Sequence, residues 1–88
     1  MDTNTLQGKR VAILVADGFE QVELTEPKAA LERAGARTSI VSASAERVQG
    51  WKHFDKADQF PVDVRLSDAK SQDFDALLLP GGGMGGMY

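Results

Sequence analysis

Two short stretches carry residue types that can do chemistry. The first is Asp17-Gly18-Phe19-Glu20, which follows a run of apolar residues. A carboxyl beside Phe19 is partly shielded from water, and Glu20 in that setting is suited to hydrogen-bond a nucleophile or to move a proton. Its plainer role is that of an acid near the positive end of a helix. The second stretch is Pro80-Gly81-Gly82-Gly83. Glycine lets backbone amides approach a substrate closely, so this loop can present N–H groups to an oxyanion; it can equally be a simple strand-ending turn. His53, in Trp51-Lys52-His53-Phe54, is the single histidine, and one histidine makes no metal site without carboxylate help. Asp55 and Asp58 nearby read as solvated, and Trp51 reads as packing or interface. Cysteine is absent, which removes disulfides, thiolate metal sites and a cysteine nucleophile from these 88 residues. No metal or cofactor is implied.

The elements around these loops explain why they matter together. Residues 10–16 (RVAILVA) form a continuous, β-branched apolar run, the pattern of a strand covered on both faces. A helix is expected over 22–34, with Leu24, Leu31 and Ala34 inward and Glu23, Glu26, Lys28, Glu32 and Arg33 mostly outward. Pro27 belongs in its first turn or marks a kink, and Gly35 is the natural residue to end it. Residues 38–42 (TSIVS) form a second strand, giving a strand–helix–strand unit in a parallel sheet. Extended pieces over 48–54 and 60–64 suggest a hairpin, with Pro61 at an edge. A helical turn is expected over 67–72, and a third buried strand from Phe74 to Leu79 (FDALLL). In an open parallel sheet, ligands bind beyond the carboxyl ends of the strands. The loops holding Glu20 and Gly82 leave the first and third core strands there, so they are expected to share a cleft.

Composition sets outer bounds. Eighty-eight residues, 42% hydrophobic and 26% charged with net charge −3, allow one small domain. A chain of this size buries only about 60% of its unfolded surface, so its stability is marginal. The charge gives no reason to bind nucleic acid or an anionic membrane, and the apolar runs fall far short of a spanning helix. No signal-peptide cleavage pattern follows the polar N-terminus, and cytoplasm is the expected compartment. No phosphate-loop or dinucleotide fingerprint follows the first strand, which leaves a ligand-binding flavodoxin-like domain the weakest reading.

The segments RVAILVADGFEQVELTEPKAALERAGA, GWKHFDKADQFPVDV and DFDALLLPGG resemble, in order, the N-terminal half of the PfpI family of intracellular peptidases and deglycases. That family is the DJ-1/PfpI branch of the class I glutamine-amidotransferase-like superfamily. The resemblance spans about residues 9–82. It implies an α/β fold, a flavodoxin-like three-layer sandwich half with a parallel sheet; the third strand would then be left as an exposed edge, so completion by self-association is expected. It also implies oligomers, a stress-protective role, and hydrolytic chemistry on carbonyl compounds. By resemblance, Glu20 is the glutamate that supports the nucleophilic thiol, and Gly82 supplies an oxyanion-hole amide. The family's nucleophile is a cysteine followed directly by histidine, beyond the matching segments.

Three organisational expectations follow. Residues 1–8 are a disordered N-terminus, 9–82 the half-domain, and 83–88 a Gly/Met-rich tail that looks like a truncation or junction. The chain alone is expected to be inactive, a fragment of a cysteine hydrolase; the other reading is a non-catalytic self-associating scaffold or engineered half-fold. The expected partners are a second copy, through the edge strand from Phe74 to Leu79, or a C-terminal half in trans.

Overall fold

In the computed structural model, the described residues are 5–16, 18–43, 46–52 and 55–80. They build two sheets and one helix. Strand β1 (Arg10–Leu14), helix α1 (Val22–Arg33) and strand β3 (Arg37–Ser42) form the expected parallel unit; strand β2 (Phe19–Glu20) lies between β1 and α1 in the chain. The hairpin β4 (Arg47–Lys52) and β5 (Asp55–Pro61) follows, then β6 (Val64–Arg65) and β7 (Ala76–Leu78). The main sheet has the order β6-β3-β1-β7, and all its pairings are parallel. A second sheet has the order β2-β4-β5. The architecture is α/β with a parallel sheet, a flavodoxin-like half fold, as expected.

The core sits on one face of the main sheet. Ile13 and Leu24 are fully buried, and Val11, Val15, Leu31 and Ile40 nearly so. Leu24 and Leu31 are two helical turns apart on α1, which puts both on the stripe facing β1 and β3. From the second sheet, Val48 and Phe19 join the same cluster, with Phe60 packed against it. The Phe19 and Phe60 rings lie 5.8 Å apart at 50°, a tilted pairing that spans β2 and β5.

Gly35 ends α1 as expected, with φ +96°. The Ala36 N–H donates to the Leu31 carbonyl and the Gly35 N–H to the Glu32 carbonyl, both at 3.0 Å. This is the Schellman pattern, and its usual apolar contact is supplied by buried Leu31 and Ala36. Pro27 is not in the first turn: it is the sixth helical residue, and α1 runs through it although its ring nitrogen has no N–H to donate to the Glu23 carbonyl. Burial of Leu24 and Leu31 on either side holds the helix together there.

Two other expectations change. Residues 5–8, read as frayed from their polarity, form a turn over the end of α1. The Leu6 N–H donates to the Ala34 carbonyl at 2.9 Å and the Gly8 N–H to the Gly35 carbonyl at 3.2 Å, so the turn satisfies carbonyls that a helix end leaves open. The single turn expected over 67–72 is two 3-10 turns, Leu66–Asp68 and Ser71–Asp73. They belong to the connection that carries the chain from β6, at one edge, to β7 at the other.

Among the described residues this connection packs over the opposite face of the main sheet. Ala12, Leu14, Val41 and Leu77 line a largely apolar cavity of about 310 Å³ between them and Leu66 and Phe74. Among the described residues β7 pairs with β1 alone.

Candidate functional site

The strands expected to bring the two loops together are neighbours. Val11, Ala12 and Ile13 of β1 pair in parallel with Ala76, Leu77 and Leu78 of β7. The carboxyl ends of β1 and β7 therefore point the same way. The chain leaves β1 through Val15 and Ala16 toward Glu20, and leaves β7 through Leu79 toward Pro80.

Glu20 is described and Gly82 is not. Gly81, Gly82 and Gly83 lie outside the described residues, as do Asp17, His53 and Phe54. The stretch read as a loop around Glu20 is instead a short strand. Phe19 pairs with Gly50 and Glu20 with Trp51, parallel to β4. Phe19 is buried, Glu20 half-buried, and the next residue, Gln21, is the N-cap of α1. Alternation along β2 accounts for this: Phe19 points into the core, so Glu20 points out of it. Trp51 is half-buried on β4 and pairs with Glu20.

Three residues to which the sequence assigned no part in the site fix β2. Gln21 is hydrogen-bonded on every side. Its N–H donates to the Trp51 carbonyl at 2.8 Å, and its carbonyl accepts from the N–H groups of Leu24 and Thr25 at 3.0 Å. Its side-chain Nε2 donates to Asp58 Oδ2 at 3.0 Å, and its Oε1 accepts from the Asp58 N–H at 2.7 Å. Asp58 is exposed, as its reading as solvated implied, but it is not idle. Gly50 is the third member. A Cβ there would lie 3.1 Å from Gln21 Oε1 and 3.2 Å from the Asp58 carbonyl oxygen. The β4–β5 register shifts between Gln49 and Trp51, so Gly50 lies at a bulge. A glycine inside a strand pattern is the sequence signal for such a feature.

Asp75 closes the other end of β1 and β7. The Arg10 N–H donates to Asp75 Oδ2 at 2.8 Å, and the Asp75 N–H donates to the Arg10 carbonyl at 2.7 Å. The backbone N–H of Arg10, with its guanidinium and Lys9 adding positive potential, holds the Asp75 carboxyl below the ordinary aspartate value. Glu32 is likewise held low, by its hydrogen bonds from Lys28 at 2.8 Å and from the Thr38 hydroxyl at 2.6 Å. Those contacts are exposed and tie α1 to β3, away from Glu20. Among the described residues no group of three or more His, Cys, Asp or Glu side chains is arranged to hold a metal ion. No helix among them is long and apolar enough to cross a membrane.

The chain is similar to uncharacterized proteins of Staphylococcus epidermidis (49% identical over 74 residues), Staphylococcus haemolyticus (46%) and Staphylococcus aureus (45%). Each match covers 84% of this chain but only 41–42% of the relative, so the chain spans about two fifths of the length of the curated relatives it matches. The model of the DJ-1/PfpI family matches residues 9–88. With its parallel sheet and the matched family model together, the chain belongs to the DJ-1/PfpI family.

Proposed function

We propose that these 88 residues furnish two walls of a cysteine-hydrolase site and not its nucleophile. In this reading the Glu20 carboxylate accepts a hydrogen bond from an attacking thiol, and the Gly82 N–H stabilises the oxyanion formed when that thiol adds to a carbonyl carbon. The thiol comes from outside these residues, which contain no cysteine. Taken alone they form no covalent intermediate and are inactive. The reaction class is hydrolysis at a carbonyl centre, of a peptide bond or a glyoxal-type protein adduct, in a cytoplasmic stress-protective role.

The observation that carries this reading is the parallel pairing of β1 with β7, whose carboxyl ends lead to Glu20 and to Pro80. The test is complementation in trans. The chain is mixed with a separately expressed C-terminal half of a DJ-1/PfpI relative that bears the cysteine, and glyoxal and peptide turnover are followed. Turnover is expected only in the mixture, and Glu20→Ala is expected to lower kcat strongly. A mixture that forms a complex without turnover contradicts the reading.

A second reading is a non-catalytic self-associating scaffold, favoured by the edge of β7 and the apolar face beside it. An edge strand with open N–H and C=O groups pairs readily with another chain. Two copies related by a two-fold axis would join β7 to β7 antiparallel, extending one sheet across both. Light scattering then gives a dimer at micromolar concentration, and Leu77→Lys, on the cavity face of β7, shifts it to monomer. A monomer for the unsubstituted chain removes this reading.

A further inference from the structure

We infer that Gln21, Gly50 and Asp58 form a clamp that sets the position of Glu20, acting as positioning residues for the site proposed above, on which the inference rests. The clamp begins with a mismatch in the hairpin. At the shift between Gln49 and Trp51, β5 offers more residues than β4 can pair. Such a bulge leaves backbone groups outside the ladder, and those groups need partners elsewhere. The Asp58 N–H lies in that stretch, and Gln21 Oε1 accepts from it at 2.7 Å. The carbonyls of Ala57 and Asp58 lie there too. The side-chain Nε2 of Gln49 reaches them at 2.9 and 3.4 Å, and the Gly50 carbonyl at 2.8 Å.

Gln21 does more than fill a gap. Its amide and the N–H and carboxylate of Asp58 close a two-bond ring across β4, from the residue that follows β2 to β5. The ring passes over Gly50, where a side chain would press on Gln21 Cβ at 3.3 Å as well as on its Oε1. β2 is only two residues long, so its own ladder constrains Glu20 weakly. Phe19 is anchored in the core on one side of Glu20, and Gln21 is anchored by this ring and by α1 on the other. Glu20 thus stands between two fixed residues, its backbone paired with Trp51. Bulges beside a functional side chain commonly serve to aim it.

The experiment uses the 88-residue chain, so its result is independent of whether the cysteine-bearing half restores turnover. Amide hydrogen exchange and the carbon-13 resonance of the Glu20 carboxyl are compared among the parent chain, Gln21→Leu, Gly50→Ala and Asp58→Asn. The Asp58 amide is expected to exchange about tenfold faster in Gln21→Leu, the loss of one net hydrogen bond. The Glu20 carboxyl resonance is expected to move in Gln21→Leu and Gly50→Ala, while that of Glu32 stays put. Asp58→Asn keeps both an N–H donor and a side-chain acceptor and is expected to leave Glu20 in place. If Gln21→Leu proves unfolded, Gly50→Ala carries the test, since it strains the ring from outside. An Asp58 amide unprotected in the parent chain overturns the clamp. A Glu20 resonance indifferent to Gln21→Leu and Gly50→Ala, with the fold intact, overturns its positioning role.

Discussion

Asp75 and Arg10 hold each other twice: the Arg10 N–H donates to the Asp75 carboxylate, and the Asp75 N–H donates to the Arg10 carbonyl. The arrangement recurs at the other edge of the sheet. There the Ile40 N–H donates to Asp63 Oδ2 at 2.7 Å, and the Asp63 N–H donates to the Ile40 carbonyl at 2.8 Å. Each aspartate stands immediately before an outer strand, β7 or β6, and sets its register against the strand inside it. Such pinning matters most where the strands are three and two residues long.

The first prediction concerns pH. The Asp75 carboxyl is held low by the Arg10 N–H, so its ionised form favours the folded chain. A carboxylate depressed on folding contributes stability above its unfolded value, and that contribution is lost as pH falls through the folded one. Asp75→Asn is therefore expected to lower the urea midpoint near neutral pH. The gap to the parent chain should narrow once pH falls below the ordinary aspartate value of 3.8. An equal gap at all pH values removes the charge from the explanation. The carboxylate is well exposed, and salt should weaken the part due to the guanidinium.

Gly35 gives a sharper expectation. At φ +96° an alanine is strained, and its Cβ would lie 2.8 Å from Gln7 Oε1 and 3.0 Å from Gln7 Cα. Gly35→Ala is expected to cost about 1–3 kcal/mol. Gly8 also has positive φ, at +77°, but a Cβ there meets nothing within 4 Å. Gly8→Ala should therefore cost less, and thermal melting of the two variants orders them. The reverse order contradicts the packing of residues 5–8 over the end of α1.

Val48 tests how firmly the hairpin belongs to the core. It is fully buried on β4, among residues contributed by β1 and α1. Val48→Ala is expected to cost about 2 kcal/mol, from the lost methyl groups and the space they leave. Val22→Ala, on the exposed side of α1 at 50% accessibility, should change stability by less than about 0.5 kcal/mol. Urea denaturation distinguishes the two. Equal effects would mean that the second sheet does not share the core of the first.

Much of this fold was legible from local pattern. The run 10–16 and the helical spacing of Leu24 and Leu31 lead directly to β1 and α1, because burial on a strand and on a helix leaves different periods in the sequence. Gly35 marked the helix end for a stereochemical reason that no other residue shares so well. Pro61 at an edge was legible from its missing donor, but the second arm of the hairpin is β5 and not the piece expected over 60–64, whose end joins the main sheet as β6. The second sheet was not, because β2 is two residues long and pairs with β4 some 30 positions later in the chain. Glu20 was legible as a candidate from its type and its neighbour Phe19. Gln21 and Asp58 were not, because their importance arises from a bulge that only the register of β4 against β5 creates. Of the two settings expected for Pro27, the first turn is not the one taken: that local preference yields to the burial of Leu24 and Leu31 around it.

The claim on which the rest depends is that Glu20 and the loop after Pro80 meet at one end of the sheet. Since the chain contains no cysteine, a single one introduced as Gly83→Cys takes a nitroxide label at one place only. Relaxation enhancement of the amide resonances then reads distance from the label. The expected result is strong broadening of Glu20 while Arg10 and Asp75, at the amino ends of β1 and β7, stay sharp. A Glu20 resonance as sharp as that of Asp75 would contradict the account.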